Sequence, residues 1–214
     1  QQTGGRGRRG RSFVSPAGQG LYLSVLLRPR CPLEKVSALT AWTAVAVCNA
    51  VERVCGVRPG IKWPNDVILD GRKLCGILTE LELEAETGEP SAVIAGIGIN
   101  VNQTEFDPAL PNPVSMAMVA GRTFDRGEVL EAFRRHIGIR YAQLELDERE
   151  TLQRDYRERM YRLGERHTFR YPDGTPTEAS IEGVRPTGEL LLRHADGTLR
   201  EYLFKEIEFV IAGK

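Results

Sequence analysis

Net charge is the first thing this 214-residue sequence lacks, because 29 lysines and arginines are offset by 29 aspartates and glutamates. A chain with no charge excess is a poor general binder of polyanions, which argues against a nucleic-acid-binding module. Aromatic residues are also sparse, with seven Phe and two Trp, so a stacking platform for single-stranded RNA has little to build on. The four cysteines, Cys31, Cys48, Cys55 and Cys75, contain no C-x-x-C pair and meet no histidine at ligand spacing. A structural zinc or disulfide framework is therefore not expected, and reduced thiols in a cytoplasm fit the pattern. No apolar run reaches the ~18 residues that span a bilayer, and no signal peptide is read, so a membrane is not an expected partner.

The charge balance breaks down locally. Residues 1 to 30 carry six arginines and no acid. Within them, Gly5-Arg6-Gly7-Arg8-Arg9-Gly10 spells G-x-G-x-x-G. A dinucleotide site would need a strand before the glycines, a helix after them and an acid about 20 residues on. Here a proline and two glycines follow, and Arg28-Pro29-Arg30 stands where the acid should be. The Rossmann reading fails. The stretch reads instead as a loop whose amides and guanidinium groups close over phosphate.

The remaining pattern divides the chain in two. Leu21 to Leu27 reads as a buried strand, and residues 34 to 55 as an apolar-striped helix that Gly56 can cap. Ile61 to Leu69 reads as a strand broken at Trp63-Pro64-Asn65-Asp66, and Asp70-Gly71 as a tight turn returning the chain through Lys73 to Glu82. Ala92 to Val101 is a further strand. Asp125 with Glu128 opens a charged helical stretch running to about Leu163, where Gly164 stops it. Beyond that point five short strands with turn dipeptides suggest a small barrel. The expected architecture is α+β, residues 1–164 forming one unit and 165–214 a small all-β unit.

Several residues stand out for chemistry. Lys62-Trp63-Pro64-Asn65-Asp66 is either a core tryptophan and a plain turn, or a strand break that aims Lys62, Asn65 and Asp66 into a site. Arg72 suits a solvated turn. Lys73 enters an otherwise apolar strand, as a point charge for a carboxylate or phosphate does. Gly76 interrupts that strand. In Gly96-Ile97-Gly98-Ile99-Asn100 both glycines fall on one face, which is left bare for a flat ligand or for tight helix packing.

Taken together, Gln2-Thr3-Gly4-Gly5-Arg6-Gly7-Arg8-Arg9-Gly10, the Lys62–Asp66 motif, Arg72-Lys73-Leu74-Cys75-Gly76-Ile77-Leu78 and Gly96–Asn100 resemble the motifs of the biotin protein ligases. The resemblance implies a mixed-sheet catalytic domain with flanking helices, of the class II synthetase type, followed by an SH3-like β-barrel. It implies activation of biotin by ATP and Mg2+ to biotinyl-5′-AMP, then transfer to a lysine of a biotin carboxyl carrier protein. Catalysis is expected from Lys73, Arg6 and Asp66. Biotin is expected to meet Gln2, Gly5, Arg6, Gly7, Arg8, Lys73, Gly76, Leu78, Gly96 and Gly98. The nucleotide is expected at Arg6, Arg8, Arg9, Phe13, Lys62, Asn65 and Asn100, with no dedicated protein metal cage. The family also carries a Ser/Thr-rich biotin-holding motif before the glutamine, and this chain begins after it. Relatives occur as monomers and homodimers. Lipoate ligation is the neighbouring alternative, which the full glycine–arginine loop and the Lys62–Asp66 motif argue against.

Overall fold

The computed structural model describes residues 17–28 and 38–210. Its first sheet has the strand order β1-β5-β4-β3-β2. The strands are β1 (Gly20–Leu27), β2 (Gly60–Lys62), β3 (Asp66–Leu69), β4 (Arg72–Leu83) and β5 (Pro90–Asn100). Every pairing between these strands is antiparallel, which corrects the expected mixed sheet. The reason lies in the connections. From β2 to β5 each strand turns straight back on its predecessor, and no crossover helix intervenes to permit parallel neighbours. The β3–β4 turn is the tight one its dipeptide predicts, with Asp70 at φ 50° and Gly71 at φ 69°.

Helix α1 (Leu39–Cys55) covers one face of this sheet. Ala44, Val45, Ala46, Val47 and Cys48 are all fully buried in succession, so the helix is enclosed on every side rather than striped. Its outer side packs against α3 (Arg126–Glu145). Gly56 ends α1 in the left-handed conformation, at φ 75°, and its N–H returns to the Glu52 carbonyl. Asp125 caps α3 by accepting from the Gly127 N–H at 2.7 Å. The charged stretch then breaks into a separate α4 (Arg149–Arg157) that stops short of Leu163. A one-turn helix, α2 (Met116–Ala120), was not evident in the sequence; the Ser115 hydroxyl caps it. No described helix is long and apolar enough to cross a membrane.

The second sheet, in the order β10-β6-β7-β8-β9, holds β6 (Arg166–Arg170), β7 (Pro176–Val184), β8 (Leu190–His194), β9 (Leu199–Tyr202) and β10 (Glu208–Phe209). The number of strands matches the sequence reading. The sheet is nevertheless open, because no ladder joins β9 to β10 among the described residues. With four and two residues these edges are short, and Phe204 bridges to Ile207 within the turn between them. The segment leading into the second sheet is tied to β2, where Ile61 N–H donates to Arg159 O and Tyr161 N–H to Ile61 O at 2.8 Å.

Two ion pairs of α3 differ sharply in setting. Arg140 is 10% exposed at its side chain and meets Asp155 of α4 at 2.6 Å, whereas Arg134 and Glu131 are both well exposed. Asp155→Asn leaves a largely buried guanidinium without its carboxylate and is expected to cost roughly 3 kcal/mol. Arg134→Ala should stay within about 0.5 kcal/mol of the parent. Equilibrium urea unfolding of both variants checks the contrast; equal losses would contradict it.

Candidate functional site

Strand alternation gives the first sheet two unlike faces. Val67, Cys75, Ile77, Ile97 and Ile99 are buried toward α1. Their neighbours Asp66, Gly76, Leu78, Gly96 and Gly98 lie on the opposite, half-buried face. Register aligns these residues across strands. Tyr22 pairs with Gly98, Gly98 with Gly76, Gly76 with Asp66 and Asp66 with Lys62. A parallel row joins Ser24, Gly96 and Leu78. Three of these cross-strand positions are glycine, so the middle of the face is bare backbone.

Among the described residues nothing crowds Gly76 or Gly96. A Cβ on Gly96 would have nothing nearer than the Leu78 carbonyl oxygen at 3.5 Å, an ordinary contact. At Gly76 it would stand 3.5 Å from Cε and 3.6 Å from Nζ of Lys73. The lysine ammonium therefore lies over the glycine floor.

Simple alternation would not put Lys73 there. Counting back from Cys75, which faces α1, Lys73 should face α1 as well. A β-bulge intervenes. Val67 pairs with Cys75 but the next residue, Ile68, pairs with Lys73, leaving Leu74 as the extra residue. Leu74 and Cys75 are both buried, and Lys73 emerges on the open face. There its Nζ meets Asp66 Oδ1 at 2.7 Å, with side-chain exposures of 41% and 23% that leave the pair open to solvent.

The backbone of Lys73 is fixed on both sides. Its N–H donates to the Asn112 carbonyl at 2.8 Å, and its carbonyl accepts from Val114 N–H at 3.0 Å. Asn100 holds the same loop: it is buried, and its Nδ2 donates to the Val114 carbonyl at 3.0 Å. Asn65 bridges the break before β3, donating from Nδ2 to Ile77 O at 2.6 Å while its own carbonyl accepts from Ile77 N–H. Lys62 extends toward the second sheet, with Nζ 5.4 Å from the Phe209 ring centroid. Trp63 follows it through a cis Trp63–Pro64 bond, donates to the Gly188 carbonyl at 2.9 Å and packs edge-on to Phe204. Arg72 pairs with Asp70 at the turn, as expected of a solvated side chain.

The structure thus brings together Asp66, Lys73, Gly76, Leu78, Gly96 and Gly98, while Asn65 and Asn100 support the surrounding backbone and Lys62 leans toward the second sheet. Gln2, Gly5, Arg6, Gly7, Arg8, Arg9 and Phe13 lie outside the described residues. Sequence reasoning missed Tyr22 and Ser24, whose place depends on β1 pairing with β5. Tyr22 folds back over Gly20, where a Cβ would collide with the Tyr22 hydroxyl. It also missed the loop from Asn112 to Val114. The one available clue to the bulge was the pair Leu74-Cys75, two adjacent apolar residues between Lys73 and Gly76.

A cation held beside a carboxylate over a bare, flat floor suits an anionic ligand with a planar body. Lys73 can donate to a carboxylate or phosphate oxygen. The Cys75 thiol beside Gly76 is no ready nucleophile, because burial pushes it far above its ordinary value. Among the described residues no group of three or more His, Cys, Asp or Glu could hold a metal.

Comparison with known proteins gives a consistent picture. The model of the biotin/lipoate A/B protein ligase family matches residues 1–100. A biotin–[acetyl-CoA-carboxylase] ligase of Paracoccus denitrificans is 34% identical over 204 residues, 92% of this chain and 83% of that protein. The bifunctional ligase/repressor BirA of Bacillus subtilis is 43% identical over 134 residues, 61% of this chain and 41% of that protein. This chain thus spans less than half the length of the Bacillus protein. A structure of the Aquifex aeolicus biotin protein ligase in complex with biotin and ATP superposes with a TM-score of 0.82 at 29% identity, covering 99% of this chain and 86% of that one.

If openness is the reason for the glycines, small side chains there cost little stability. Gly76→Ala and Gly96→Ala should each fold with a melting temperature within a few degrees of the parent. A loss of ten degrees or more in calorimetry would instead mark these positions as packing sites.

Proposed function

The chain belongs to the biotin protein ligases of the biotin/lipoate A/B protein ligase family, and from that membership we propose that it activates biotin with ATP and transfers it to protein. A biotin carboxylate oxygen attacks the α-phosphorus, the bond to pyrophosphate breaks, and biotinyl-5′-AMP forms. The ε-amine of a lysine in a biotin carboxyl carrier protein of acetyl-CoA carboxylase, or of a related carboxylase, then attacks the acyl carbon. An amide forms, AMP leaves, and the amine gives up its proton.

The observation that carries this reading is the Lys73 ammonium lying over the Gly76 floor, paired with Asp66 at 2.7 Å. The biotin rings rest on Gly76, Gly96 and Gly98 and pack against Leu78. Lys73 holds the biotin carboxylate beside the α-phosphate and offsets the charge that builds as the two join. Asp66 orients that ammonium and accepts the proton of the incoming amine. Asn100 and Asn65 act by holding the backbone around Lys73 and β4, and Lys62 serves the nucleotide phosphates. Gln2, Arg6, Arg8, Arg9 and Phe13, with Gly5 and Gly7, close over biotin and adenylate in the same reading, which rests for them on the sequence motif alone.

Mg2+ accompanies the ATP phosphates. The oxygen donors at hand, the Asp66 carboxylate and the Asn65 amide, suit a hard ion that takes most of its ligands from phosphate and water. Asp66 and Asn65 would hold the ion there, and it would supply neutralisation of phosphate charge. Residues 1–164 are read as the catalytic domain and 165–214 as an SH3-like unit, on the strength of its five short antiparallel strands. The free thiols of Cys48, Cys55 and Cys75 accord with a cytoplasmic enzyme. The homodimer found in part of the family is proposed on that resemblance.

Exchange of labelled pyrophosphate into ATP tests the first half-reaction. Exchange is expected with biotin and not with lipoate. Lys73→Ala should lower it about 100-fold or more while leaving the circular dichroism spectrum unchanged. Exchange at the parent rate in that variant would remove Lys73 from the mechanism, and exchange with lipoate alone would replace biotin as the acid.

A further inference from the structure

Register places Lys62 opposite Asp66, the carboxylate that pairs with Lys73. The Lys62 backbone therefore belongs to the edge of the candidate site. Its Nζ, however, lies 5.4 Å from the centroid of the Phe209 ring on the second sheet. That is inside the ~6 Å reach of a cation–π contact.

Phe209 is itself firmly held. Strand β10 has only two residues, but Phe209 pairs with Phe169 of β6, and the following Val210 N–H donates to the Thr168 carbonyl at 3.1 Å. Its ring meets the fully buried Phe169 edge-on, with centroids 5.3 Å apart. Tyr161 and His167 stand against it at 6.1 and 5.1 Å. Three rings thus fix the plane over which the ammonium lies.

Both chain neighbours of Lys62 are tied in the same direction. The Ile61 carbonyl accepts from Tyr161 N–H at 2.8 Å, and the Trp63 indole donates to the Gly188 carbonyl at 2.9 Å. Backbone and ammonium are therefore set by the same part of the molecule. A lysine stem is rich in rotamers, and ordering it before a ligand arrives removes that cost from binding. An aromatic face restrains an ammonium without neutralising it, as a carboxylate would.

We infer that Phe209 is a positioning residue for the nucleotide: its ring holds the Lys62 ammonium ready for the ATP phosphates. The inference rests on the reading of Lys62 as a phosphate-binding side chain. It gives the small second unit a part in the first half-reaction, exerted through one lysine.

Pyrophosphate exchange at varied ATP tests it. Phe209→Leu keeps the apolar bulk and removes the ring, and should raise the KM for ATP about two- to fivefold, the worth of a cation–π contact at a partly exposed site. The KM for biotin and kcat should stay at parent values, and Phe209→Tyr, which keeps the ring, should match the parent throughout. Lys62→Gln should also raise the KM for ATP, and adding Phe209→Leu to it should change nothing further. If Phe209→Leu does not fold, fluorinated phenylalanine at position 209 keeps the ring and weakens its face. The KM for ATP should then climb with each fluorine. A raised KM in Lys62→Gln beside a parent KM in Phe209→Leu would overturn the positioning role alone. An equal further loss in the double variant, or an equal rise in the KM for biotin, would do the same. A parent KM in Lys62→Gln would instead withdraw Lys62 from the phosphates, and the role of Phe209 with it.

Discussion

One extra residue in a strand sets the geometry on which the rest of the site depends. Leu74 is that residue. Because it has no partner on β3, the alternation of β4 shifts by one place at the bulge, so Leu74 and Cys75 both enter the core and Lys73 leaves it. Without the bulge, Lys73 would be driven into the apolar layer beneath α1, where an ammonium has no water and no carboxylate. With it, the charge reaches Asp66 and lies over Gly76. The loop from Asn112 to Val114 clamps the Lys73 backbone from both sides, and buried Asn100 clamps the loop.

The two faces of the sheet divide the labour. One face is filled by α1, whose fully buried central residues make a rigid backing for β2, β3 and β4. The other is emptied by glycine at three aligned positions. A rigid backing matters because a flat floor made of backbone has no side chains to readjust around a ligand. The second sheet contributes from the edge: β2 is held between β3 and the segment around Met160, and Trp63 reaches Gly188. The strand break that carries Asn65 and Asp66 is thereby anchored at both of its ends.

Much of this was legible in the sequence, for identifiable reasons. Asp70-Gly71 specified its hairpin because both positions need positive φ, and the alternating glycines of Gly96 to Asn100 announced a bare face. Lys73 stood out as a charge in an apolar strand. The antiparallel character of the whole sheet was missed, since periodicity marks strands without saying which edge each one joins. Tyr22 and Ser24 were invisible for the same reason: their place in the site exists only once β1 is laid along β5. The open second sheet reflects the two-residue length of β10, which a run of apolar residues does not reveal. The choice at Gly96 between ligand space and helix packing needed coordinates; among the described residues a Cβ there would meet only Leu78, at 3.5 Å and beyond.

The central claim is that the bulge presents Lys73 to the reacting carboxylate and phosphate. Lysine footprinting by brief acetylation, read by mass spectrometry with and without biotin and ATP, tests it on the unsubstituted chain. Lys73 should be labelled in the free protein and protected when both ligands are present, with Lys205 as an exposed reference on the second sheet. Equal labelling of Lys73 in the two states, with the ligands shown to be bound, would contradict the account.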